Sequence, residues 1–179
     1  MPLHLALLRG INVGGRHRLP MADLAAAFAA AGARDVRTYI QSGNVVYRAR
    51  AADARRIPAR VAAALAARLG FAVPVVGRTI GEWRAVVRGN PFLHAGADPD
   101  ACHVACLADR PAVARVGALD PDRSAPDRFA VRGREVYLHL PNGVARTRLT
   151  NAWLDAQLGT VSTLRNWRTV CALLALAEA

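Results

Sequence analysis

The feature that most constrains this chain is the apolar run Leu3-His4-Leu5-Ala6-Leu7-Leu8 passing into Arg9-Gly10-Ile11-Asn12-Val13-Gly14-Gly15-Arg16-His17-Arg18. An apolar run of that length without alternation reads as a strand buried on both faces. It leaves the sheet through a loop in which Gly10, Gly14 and Gly15 let the backbone turn sharply and come close to a ligand. Arg9 and Asn12 bring donors suited to an anion.

The pattern that follows fixes the fold class. Pro20 suits a first helical turn, and Met21, Leu24, Phe28 and Ala31 recur at helical spacing until Gly32. Residues 36–41 read as a strand, Ser42-Gly43-Asn44 as a tight turn and 45–47 as its antiparallel partner. Ile57, Val61, Leu65 and Leu69 mark a second helix, and 72–76 a further strand. The order β-α-β-β-α-β predicts a ferredoxin-like split βαβ half, an antiparallel sheet with helices on one face. In that topology strands one and three are adjacent, so the turn at Gln41, Ser42 and Asn44 lies beside the glycine loop.

Thr79 and Glu82 have capping-box spacing, and Ile80, Trp83 and Val87 form the apolar stripe of the helix they open. A loop over 93–101, a strand over 102–107, a short helix over 111–119 and a hairpin of 129–132 with 135–140 follow. Leu149, Trp153 and Gln157 predict a helix ending at Gly159. Leu164, Trp167, Cys171 and Leu174 predict a final helix capped by Ser162 or Thr163, with Arg165 and Thr169 sharing a face near its N-terminus. The expectation is an α+β fold: one domain over 1–179, divided into a ferredoxin-like half at 1–78 and a second α+β half at 79–179.

Charge and cysteine usage bound the function. The 24 basic residues against 13 acidic ones give +11, which raises nucleic acid as a partner. Every basic residue is Arg and the arginines are dispersed, a skew that base composition of the coding DNA would also produce. Cys102, Cys106 and Cys171 lack C-x-x-C spacing, and on one strand Cys102 and Cys106 stand about 13 Å apart, too far to bridge. They read as apolar residues of a reducing, cytoplasmic setting. No uncharged apolar stretch reaches membrane-spanning length. No metal set or cofactor motif is present, and no oligomeric state follows.

Gly10 and Gly15 have the G-x-x-x-x-G spacing of a P-loop, but Arg16-His17 stand where Lys and Ser or Thr are required. Nor does Asn44-Val45-Val46-Tyr47 match an RNA-recognition strand. No nucleophile–base set can be paired, and His17 is the one imidazole placed to act as an acid or base. The catalytic residues, and whether there is a reaction at all, stay undetermined.

Leu7-Leu8-Arg9-Gly10-Ile11-Asn12-Val13-Gly14-Gly15, Pro20-Met21-Ala22-Asp23-Leu24, Thr38-Tyr39-Ile40-Gln41-Ser42-Gly43-Asn44-Val45-Val46, Asn90-Pro91-Phe92 and Arg165-Asn166-Trp167-Arg168-Thr169-Val170 follow one another along the chain. In that order they resemble the signature blocks of the bacterial proteins called domain of unknown function 1697. The resemblance implies an α/β sandwich with ferredoxin-like halves and no established activity. Together these readings predict a binder of a small anionic or phosphorylated ligand in a cleft of Arg9, Asn12, Gly14, Gln41, Ser42 and Asn44, joined by Arg165 and Asn166. A nucleic-acid-binding module and a non-catalytic interaction scaffold are the alternatives.

Overall fold

The computed structural model describes residues 1–15 and 17–179. Among the described residues eight strands form two four-stranded antiparallel sheets, and the chain divides into two compact units, Met1–Ala85 with Leu173–Ala179, and Val86–Ala172.

The first unit contains β1 (Leu3–Leu8), α1 (Met21–Ala30), β2 (Arg34–Tyr39), β3 (Asn44–Arg48), the short α2 (Ala51–Ala54), α3 (Ile57–Leu69) and β4 (Val75–Thr79), and continues into α4 (Ile80–Arg88). Its sheet order is β2-β3-β1-β4, so β1 and β3 are neighbours as the split βαβ pattern requires. Leu24 and Phe28 of α1 and Ile57, Val61 and Leu65 of α3 share one core with Ala6, Leu8, Val45 and Tyr47. On the opposite sheet face Leu5, Leu7 and Val46 are also fully buried, which explains why β1 is apolar throughout. β4 begins at Val75, three residues later than expected, because Pro74 has no N–H for a ladder; its carbonyl instead accepts from Arg9 N at 3.1 Å. The capping box forms as read: Thr79 N donates to Glu82 Oε2 at 2.8 Å and Glu82 N to Thr79 Oγ1 at 3.1 Å.

The second unit contains α5 (Pro91–His94), β5 (Cys102–Leu107), α6 (Val113–Gly117), β6 (Arg128–Arg132), β7 (Glu135–His139), α7 (Asn151–Leu158), β8 (Ser162–Asn166) and the start of α8 (Trp167–Glu178). Its order, β6-β7-β5-β8, repeats the first sheet's topology. The registers correspond as well: Leu5 faces Arg78 across β1 and β4, and Val104 faces Arg165 across β5 and β8.

β8 corrects the reading of 162–166 as the start of the final helix. Ser162, Thr163 and Arg165 are buried and the segment pairs with β5. Leu164 and Trp167 mimic helical spacing because they straddle a strand-to-helix junction. The cap is therefore neither Ser162 nor Thr163 but Asn166, whose Oδ1 accepts from Thr169 N at 2.8 Å. Cys102 and Cys106 are buried and unbridged. No helix of the described residues is long and apolar enough to cross a membrane.

Candidate functional site

β1 ends where the β2–β3 turn passes it. Leu8 N donates to Gly43 O at 2.8 Å, so the two turns that the topology was expected to bring together do meet. Glycine at 43 is needed twice over: its φ is +75°, and a Cβ there would stand 2.6 Å from Leu8 Cβ and 2.9 Å from Ile11 Cδ1.

Asn12 brackets the two turns. Its Nδ2 donates to Gln41 O at 2.8 Å and to Leu19 O at 3.0 Å, while its Oδ1 accepts from Leu19 N at 2.8 Å. Its φ of 53° is a left-handed conformation that Asn tolerates better than most residues. Both hydrogens of the carboxamide are thus committed to main-chain carbonyls. Asn44 is likewise internal: fully buried, it donates through Nδ2 to Tyr39 O at 3.1 Å and to Ser42 Oγ at 2.9 Å, closing the turn. Arg9 is half-buried and Ser42 exposed at the same end of the sheet.

His17 is fixed by two contacts. Its Nδ1 lies 2.9 Å from Gly10 O, and since a carbonyl can only accept, Nδ1 carries a hydrogen at this contact. The ring stacks on Phe71 with centroids 3.9 Å apart. Gly14 and Gly15, at φ +56° and +74°, are exposed, and nothing would meet a Cβ at either within 4 Å. Arg16 lies outside the described residues.

In front of this bracket is an open groove of about 380 Å³ lined by Asn12, Gly15, Arg18, Leu19, Pro20 and Gln41. Pro20 is the N-cap of α1, so the helix begins at the groove wall. Of the predicted residues, Asn12 and Gln41 line the groove, with Gly14 next to Gly15 in the loop. Arg18, Gly15, Leu19 and Pro20 are lining residues that the sequence reading did not select. The available signal was their position, immediately before a helix start that Pro20 marked.

Arg165 and Asn166 belong to the second unit. The guanidinium of Arg165 is buried and donates through Nη1 to Leu164 O at 2.7 Å and Thr163 Oγ1 at 2.8 Å. Burial lowers its pKa to about 10, opposed by the charge of the Cys106 thiolate form, and it stays protonated at neutral pH. The expectation that Arg165 and Thr169 share a helical face fails because Arg165 lies in β8, inside a sheet.

The same burial shifts the imidazoles of both units. His4 in β1 and His103 in β5 have lowered pKa values, desolvation being the larger cause in each. Cys102 is held above its ordinary thiol pKa by burial, which disfavours a nucleophilic thiolate. Among the described residues no three His, Cys, Asp or Glu side chains converge as a metal site would require.

The family model described as protein of unknown function, DUF1697, matches residues 1–137, which hold β1, the glycine loop, the bracketed turn and β5. The chain belongs to the DUF1697 family. This family member also matches the solved structure of the conserved bacterial protein SP0830 from Streptococcus pneumoniae, at 18% identity and a TM-score of 0.76, over 100% of this chain and 99% of that one. At that identity the likeness shows the fold alone. No curated protein matches the chain.

Proposed function

We propose that this DUF1697 protein binds a small anionic or phosphorylated ligand in the groove of the first unit. One observation carries the reading: two polar side chains of the lining, those of Arg18 and Gln41, make no hydrogen bond or ion pair among the described residues, whereas Asn12 beside them is fully committed to holding the walls. A guanidinium offers a planar fork of donors to a carboxylate or phosphate, and the carboxamide adds a donor and an acceptor. The first turn of α1 supplies unsatisfied N–H groups and a favourable dipole at the same wall. The cytoplasmic setting read from cysteine usage suits a metabolite or nucleotide as the source of the anion.

The ligand set therefore centres on Gly14, Gly15, Arg18 and Gln41. Asn12 and Asn44 act on it by fixing loop and turn, and Arg9 and Ser42 flank it. The test is a thermal-shift screen of nucleotides, sugar phosphates and carboxylates. A ligand at 100 times its Kd that binds only the native state adds about 2.7 kcal/mol, a rise of roughly 7 °C for a chain of this size. Arg18→Ala abolishes that rise without lowering the unliganded Tm. A flat screen refutes the proposal.

A further inference from the structure

Two aliphatic side chains that stand in water are next in the chain to residues of this groove. Val13, next to Asn12 in the glycine loop, is 66% exposed, and Ile40, next to Gln41 in the turn, is 51% exposed. Ile40 also holds φ at 47°, a conformation that β-branched residues rarely adopt, and its exposure means that core packing is not what selects it. The two positions are fixed by one group: the Asn12 carboxamide precedes Val13 in the chain and donates to the carbonyl of Gln41, the residue after Ile40. The exposed ring of Pro20 adds apolar surface to the groove wall.

We propose that the ligand is an amphiphilic small anion, an organic phosphate ester or carboxylate with an apolar body. Its charged head meets Arg18 and Gln41, and its apolar body lies against Val13 and Ile40. The inference rests on the groove reading above and adds the substrate class to it. Charge complementarity selects the head, because the guanidinium of Arg18 has no counter-ion among the described residues. The groove of about 380 Å³ restricts what it encloses to the head and something of the order of one ring or a short chain.

The test is isothermal titration of the full chain with inorganic phosphate and with phenyl phosphate, which share a head and differ in the ring. Phenyl phosphate should bind about tenfold tighter, the equivalent of about 1.4 kcal/mol. In Val13→Ser and Ile40→Gly the preference should fall to about threefold or less, with the Kd for inorganic phosphate unchanged. Ile40→Gly also tests folding, since glycine accepts the left-handed conformation and the variant should melt no lower than the parent. If phosphate binds and the ring adds nothing, or if the preference survives both substitutions, the amphiphilic assignment is overturned and the groove reading stands. If neither anion binds, the groove reading falls and this assignment falls with it.

Discussion

Removing the Asn12 carboxamide should loosen the site more than any other single change in the loop. Asn12→Ala deletes three hydrogen bonds, of 2.8, 2.8 and 3.0 Å, that join residues 12, 19 and 41. Each contributes about 1 kcal/mol net. Gln41 is exposed, so water replaces the bond to its carbonyl, whereas Leu19 is 1% exposed and its N–H is left without a partner. Alanine at φ 53° adds a further penalty of about 1 kcal/mol. The expected loss is about 2–3 kcal/mol, read as a fall in the urea midpoint at unchanged m. Asn12→Gly removes the same hydrogen bonds but accepts the backbone, so it should be about 1 kcal/mol less damaging than Asn12→Ala. A loss below about 0.5 kcal/mol in both variants would refute the bracket, and equal losses would refute the part assigned to backbone conformation.

Other substitutions separate space from conformation. Gly43→Ala meets Leu8 Cβ at 2.6 Å and a φ of +75° together, and should lose about 3 kcal/mol or more; Gly14→Ala meets only the φ and should lose about 1 kcal/mol, both by denaturant melts. Asn166→Ala removes the cap on Thr169 N and should lower stability by about 1 kcal/mol, while Thr163→Val, at a position that accepts from Arg165 but caps nothing, should leave the helical circular dichroism intact. The lowered pKa values of His4 and His103 mean that the unfolded chain binds more protons than the native one just below pH 6.5. Stability held above that pH should therefore fall as pH drops through 6.5 toward the native pKa values. Urea midpoints at pH 7.5 and 5.5 check the sign, and His103→Asn should flatten the slope.

Most of the fold was legible because its signals are local or periodic. The unalternating β1, the helical spacing of Leu24 and Phe28, the Thr79–Glu82 box and the hairpin around Gly133 each specify one element. Strand order followed from the β-α-β-β-α-β pattern, and with it the meeting of the two turns. β8 escaped because Leu164 and Trp167 have the same spacing in a strand-to-helix junction as in one helix. The site was harder for a chemical reason. Residue type announces a donor at Asn12 or Arg165 but not what it meets: Asn12 meets main-chain carbonyls, and Arg165 is buried against Leu164 O and Thr163 Oγ1. The left-handed Ile40 has no sequence signal at all, since its type argues against that conformation.

The groove account stands most directly on Arg18. Titration calorimetry of the parent chain with phenyl phosphate should give a saturable one-site isotherm. In Arg18→Ala, at an unchanged urea midpoint, the affinity should fall at least tenfold, as expected for loss of a charge-assisted contact of about 1.5–3 kcal/mol. Equal affinity in the two proteins, or no saturable heat in the parent, would contradict it.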